Sequence, residues 1–128
     1  MAHRSRIGVI VIDCRTDDLG PATAFWSAAL GVSGRVDEDG KYAVLADGQG
    51  HPKLLLQAVD HESRVHLDVE TDDRAAEATR LEALGARNLG WVRDDWIVME
   101  APTGHRFCLV PPQGDDFPGD AARWEVSP

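Results

Sequence analysis

The segment 64–70 (RVHLDVE) places three side chains that can do chemistry at every second position: His66, Asp68 and Glu70. In a strand this spacing puts all three on one face and Val65, Leu67 and Val69 on the other, toward a helix. The segment 7–14 (IGVIVIDC) has the same parity. Val9, Val11 and Asp13 share one face, and Ile10 and Ile12 point to a helix. Two carboxylates in a partly dry cleft repel, so one rises in pKa and serves as an acid or base. An imidazole that titrates near neutrality beside them can move a proton. The candidate catalytic group is therefore His66, Asp13 and Asp68. A plainer reading stays open: the aspartates tie neighbouring turns and His66 is a hydrogen-bonded interior histidine.

Cys108 adds a thiol. As a nucleophile it needs a lowered pKa from a nearby cation or helix N-terminus; otherwise it is a small apolar residue. His66, Asp68, Asp13 and Cys108 are also adequate ligand types for a divalent metal. Tyr42 and Trp96 can stack a flat ligand, or else pack in the core. Arg64 can pair an anionic ligand, or else is solvated at a strand end. Phe25 and Trp26 are read as core. His51 and His105 follow turn glycines and read as solvent-facing; His3 and His61 have no motif around them.

The elements that position these residues follow from pattern. The chain has 128 residues, one domain's worth. Its 43% hydrophobic and 27% charged content is that of a globular chain with a real core. Thirteen Lys and Arg against 22 Asp and Glu give a net charge of -9. Nucleic acid and anionic membrane surfaces are poor partners for such a chain. No apolar run is long enough to span a bilayer, and the N-terminus lacks a signal-peptide apolar region, so a cytoplasmic protein is expected. Two cysteines without a CxxC suggest neither a disulfide framework nor a thiolate zinc site.

Residues 7–14 read as a strand, 17–31 as a helix capped by Asp17 or Asp18 and ended by Gly31, and 32–36, 41–46 and 53–59 as strands. Leu19, Ala22, Phe25, Ala29 and Leu30 give that helix its apolar stripe. Residues 64–70, 72–85, 86–93, 95–100 and 106–111 then read as strand, helix and three strands. The recurrence is specific. At an offset of 55, Asp13 falls on Asp68 and Asp18 on Asp73. At 54, Leu30-Gly31 falls on Leu84-Gly85, Tyr42 on Trp96, and Gly50-His51 on Gly104-His105. The chain therefore reads as two βαβββ modules, at about 7–59 and 64–111, with a tail over 112–128. The expected fold is α+β, an eight-stranded curved sheet around a central cleft with helices outside. The tail is expected on the surface, pinned by Trp124.

Three segments resemble the vicinal oxygen chelate superfamily, the glyoxalase and bleomycin-resistance-like fold: IDCRTDDLGPATAFWSAALG (12–31), RVHLDVETDDRAAEATRLEALGAR (64–87) and WIVMEAPTGHRFCLV (96–110). The third looks like the family's DPxGNxFxL ending, with Ala101, His105 and Arg106 departing from it. The resemblance is nearest to small bacterial glyoxalase-like domain proteins and covers residues 7–111.

What the resemblance implies is a divalent metal held by a His or Gln on the first strand of a repeat and a Glu on the last. Carried over by position, it falls on His66 and Cys108 in the second copy. In the first copy it falls on Val11 and on Leu54, or on Gln57 in another loop register. One histidine and one cysteine are too few for such a site, so no metal is expected; if one is held, His66, Cys108 and Asp68 are its ligands. The chain is expected to bind a metabolite or drug in the central cleft, with Tyr42, Trp96, Glu70, Arg64 and Cys108 as ligand contacts. The alternative is a lyase, isomerase or hydrolase using His66 with Asp13 and Asp68, with or without a divalent metal. Relatives often pair, so a homodimer is expected. A structural or regulatory partner domain is the third reading.

Overall fold

A computed structural model describes residues 2–45, 52–112, 117, 119 and 121–125. His51 and much of the tail lie outside these residues. The element order is β1 (Ala2–Arg15), α1 (Leu19–Leu30), β2 (Gly34–Val36), β3 (Tyr42–Leu45), β4 (Lys53–Val59), β5 (Arg64–Thr71), α2 (Arg74–Ala83), β6 (Arg87–Val92), β7 (Trp96–Glu100), β8 (Arg106–Val110) and β9 (Ala122–Glu125). β1 to β4 with α1, and β5 to β8 with α2, are two βαβββ modules of an α+β fold. Among the described residues the strand count is nine where eight were expected, because residues 122–125 of the tail form β9 and pair antiparallel with β1.

The helix ends are built as the repeat predicts. Asp18 caps α1 by accepting from the Gly20 amide, and Gly31 closes it in the left-handed region at φ 68°. Asp73 caps α2 by accepting from the Ala76 amide. Tyr42 and Trp96, matched by the repeat, each open the strand that follows the first hairpin turn of their module.

The chain divides into two compact units, Val9–His66 and Met1–Gly8 with Leu67–Pro128; β1 and β5 each run from one into the other. In the first, strands follow the order β2-β3-β4-β1. β1 and β4 are parallel, with Asp13 opposite Gln57. Leu19, Ala43, Leu45 and Leu56 make the core, with Ile12, Cys14, Ala22 and Trp26 packed against it. Phe25 is a correction to the expected core: it is 62% exposed and meets Trp26 edge-on at 5.2 Å. A helix turns about 100° per residue, so Leu19 and Trp26 share a face while Phe25 is rotated off it. Ala29 is exposed for the same reason, whereas Leu30 returns to the Leu19 face and is exposed at the last residue of the helix.

In the other unit, β8 lies between β5 and β7, with β6 at the edge. β5 and β8 are parallel, with Asp68 opposite Cys108. Ala78, Ile97, Met99 and Leu109 form the core, joined by Val69, Leu81 and Phe107. Of the three apolar β5 residues expected to meet a helix, only Val69 packs on this core. Val65 and Leu67 are exposed. The strand β1 also starts earlier than its apolar run. Residues 2–5 pair with β9 although His3, Arg4 and Ser5 are polar, and His3 and Ser5 are buried there. Trp124 donates its Nε1–H to Ser5 Oγ at 2.9 Å, and the Arg80 guanidinium lies 3.8 Å over its ring. No helix among the described residues is long and apolar enough to cross a membrane.

Candidate functional site

β5 sets the spacing of the site. Its alternation puts Arg64, His66, Asp68 and Glu70 on one face. His66 Nδ1 lies 3.0 Å from Asp13 Oδ2, and Asp13 is 3% exposed. A buried carboxylate accepting from Nδ1–H fixes the tautomer, with the ring lone pair on Nε2. Asp13 Oδ2 also gathers Arg64 Nε at 3.7 Å and His61 Nε2 at 3.8 Å. Asp13 Oδ1 is buried without a hydrogen-bond partner among the described residues. Burial, together with the Asp13 charge, pushes the neighbouring Cys14 thiol up from its ordinary value.

The β5–β8 register supplies the rest. Asp68 pairs with Cys108, and one ligand atom from each of His66, Asp68 and Cys108 lies within 4.8 Å of the other two. All three residues are partly buried. The set offers nitrogen, oxygen and sulfur donors. Three ligands of one zinc-like ion at about 2.0–2.3 Å lie about 3.3–3.8 Å apart in tetrahedral geometry, so atoms spread over 4.8 Å must close by up to about 1.5 Å to share an ion. Three protein donors are what an open divalent site uses. The donor set therefore fits a divalent metal, with Asp68 providing what the His and Cys positions alone lack.

The other expected residues fall differently. Glu70 shares the parity of His66 but is 2% exposed and ion-paired with Arg6 at 2.8 Å. Arg6 in turn sits 5.5 Å from the Phe117 ring centroid. A Cβ on Gly8 would meet Glu70 Cγ at 2.3 Å, so the bare glycine is what admits this carboxylate. Tyr42 and Trp96 belong to different units, as do Asp13 and Asp68. Trp96 is covered by the Arg93 guanidinium 5.3 Å from its centroid. The register also settles the first-copy position. Gln57 stands opposite Asp13 as Cys108 stands opposite Asp68, so Gln57 and not Leu54 is the counterpart of Cys108.

Two histidines without sequence motifs have roles. His61 joins the Asp13 group from the turn before β5; the signal, in hindsight, was His61 and Arg64 spaced three apart before His66. His3 Nε2 lies 2.8 Å from Glu77 Oε1, both buried. No short-range signal marked it, because its partner is 74 residues away.

The family model for the glyoxalase-like domain matches residues 9–110. No curated protein matches the chain. Among solved structures it is similar to the hypothetical protein BH1468 from Bacillus halodurans C-125. There the identity is 10%, the TM-score 0.61, and 87% of this chain and 96% of that one are covered. It is also similar to the Mn(II)-bound glyoxalase from Novosphingobium aromaticivorans, at 19% identity and TM-score 0.59. That match takes in 87% of this chain but 40% of the other, so the chain spans less than half of that relative's length. At such identities these two structures share the fold. The family match covers most of the sequence, including the strands that carry Asp13, His66, Asp68 and Cys108. The chain belongs to the glyoxalase-like domain family.

Proposed function

We propose that this chain binds a small metabolite or drug-like molecule at the face of β5 that carries His66 and Asp68. The observation that supports this best is the convergence of His66, Asp68 and Cys108 within 4.8 Å, with buried Asp13 behind the imidazole. A ligand oxygen meets a hydrogen-bonding imidazole there, and the carboxylate of Asp68 accepts from a ligand hydroxyl or amide. His66, Asp68 and Cys108 are the residues that would hold a divalent cation, as the Mn(II)-bound relative holds manganese. Such a cation would supply Lewis-acid polarisation of a ligand oxygen.

The second reading is a lyase, isomerase or hydrolase, and the Asp13–His66 pair favours it. A carboxylate that orients an imidazole and stabilises its protonated form is how a histidine is prepared to move a proton. In that reading His66 takes a proton from the bound molecule, and Asp13 acts through it as a positioning residue. We also take the protein to be cytoplasmic and a homodimer. The first agrees with its two free cysteines.

The test is a small-molecule screen read by backbone NMR, with and without zinc or manganese. The expected result is a set of binders whose shifts converge on His66, Asp68 and Cys108 and vanish in His66→Ala while that variant stays folded. Binders that ignore these residues, or none at all, would overturn the reading.

A further inference from the structure

One carboxylate oxygen, Asp13 Oδ2, serves three basic side chains, and only His66 is at hydrogen-bond distance from it. The other two are left incompletely satisfied. Arg64 Nε stays 3.7 Å from that oxygen, and Arg64 Nη2 lies 3.3 Å from His61 Nε2. His61 Nδ1 lies 2.8 Å from the Glu62 carbonyl, so it donates there and its Nε2 accepts from Arg64. This orients the guanidinium without neutralising it. The Arg64 side chain is half exposed at 49%, and a planar guanidinium has five N–H donors. Arg64 and His66 are two residues apart on one face of β5, about 6.6 Å along the strand. The chain carries a net charge of -9, so an outward-facing arginine braced by a histidine beside this site runs against the overall field.

We infer that the molecule bound at His66 carries a carboxylate, and that Arg64, braced by His61, is the residue that selects it. The inference rests on the binding reading above and names the ligand class. Arg64 takes the carboxylate through its free edge in the planar, paired geometry that guanidinium favours. The rest of the ligand then reaches His66. The Asp13 carboxylate 3.7 Å from Arg64 offsets part of its charge, so a monoanion is opposed less than a dianion is. A phosphate dianion would meet that carboxylate with one firm positive charge to offset it, which is a poorer balance.

The experiment titrates the full chain with three probes at constant ionic strength: glycolate, its neutral isostere glycolamide, and methyl phosphate. Arg64 Nε–H and His66 ring signals are followed by NMR. Glycolate is expected to saturate both signals, with glycolamide at least about tenfold weaker, as loss of a charge-assisted hydrogen bond implies. Arg64→Gln is expected to erase the preference between the two while its backbone spectrum stays dispersed. His61→Ala is expected to weaken glycolate less than Arg64→Gln does. Equal binding of glycolate and glycolamide at His66 would overturn the carboxylate inference and leave the binding reading standing. Tighter binding of methyl phosphate would overturn the choice of carboxylate. No saturation at His66 by either glycolate or glycolamide overturns the inference too. The binding reading is then judged separately by the small-molecule screen.

Discussion

His66 Nδ1 and Asp13 Oδ2 are 3.0 Å apart across two strands, and the carboxylate is almost wholly shielded from water. The pair fixes which imidazole nitrogen faces the remaining donors. Removing the charge but not the shape, as Asp13→Asn, leaves the amide free to present either an acceptor or a donor to Nδ1. If His66, Asp68 and Cys108 hold a cation, Asp13→Asn should weaken it about 10–100-fold, the usual effect of losing such a support. Titration with Co(II) alone reads this through the thiolate band of Cys108. A Co(II) affinity unchanged by Asp13→Asn would show that the pair is structural only.

Gly8 has a single task, to let the Glu70 side chain lie against β1 and reach Arg6. Gly8→Ala puts a methyl 2.3 Å from Glu70 Cγ, which must swing away from its partner. The expected loss is about 1–3 kcal/mol of stability, typical of overpacking, measured by urea unfolding. An unchanged midpoint would mean that the strand yields instead and that the Arg6–Glu70 pair is not a fixed element.

Glu77 is buried, and desolvation alone would raise its pKa. Hydrogen bonds from Arg80, His3 and Ser5 outweigh that, so the group ends below its ordinary 4.5. A carboxylate depressed in the folded state contributes stability that is fully present above the unfolded value. That contribution is lost as pH falls through the lower, folded one. Stability should therefore decline below about pH 4.5 partly through this group. Glu77→Gln should cost about 1–3 kcal/mol at pH 7 and flatten the acid decline. If wild type and variant decline in parallel below pH 4.5, Glu77 is not the group that titrates.

What could be read in the sequence was local or repeated. Asp18 and Asp73 cap helices because each precedes an apolar stripe at the same offset. Asp13 and His66 were paired by strand parity alone. What could not be read depends on partners far along the chain. His3 and Ser5 look like a polar terminus until Glu77 and Trp124 are placed beside them. The same holds for β9, whose four residues have no alternation of their own and become a strand only against β1. Leu54 and Gln57 both stay open in the sequence because the position is counted from Gly50 along the chain, and the pairing of β4 with β1, which puts Gln57 opposite Asp13, is what separates them. Phe25 reads as core by its apolar type, but its angle on α1 turns it away from the face of Leu19 and Trp26.

Trp124 is the anchor through which β9 is held. Its Nε1–H bonds Ser5 Oγ, its ring lies under Arg80, and its backbone pairs with His3. The two side-chain contributions separate by substitution. Trp124→Phe keeps a ring for Arg80 and loses the hydrogen bond, which should cost about 1 kcal/mol. Trp124→Ala loses both the ring and its packing, which should cost about 2–4 kcal/mol. Hydrogen exchange gives the local readout. The amides shared between Ala2–Ser5 and Ala122–Glu125 should lose protection in Trp124→Ala first, well before those of β7 and β8. The Arg80–Glu77 ion pair at 2.7 Å lies beneath the same ring, so Trp124→Ala should also admit water to Glu77. Relief of that desolvation lowers the folded Glu77 pKa further, so the acid decline of that variant should be steeper than that of wild type. Retained protection together with a wild-type acid profile would show that the ladder alone holds β9 and that Arg80 owes its position to Glu77.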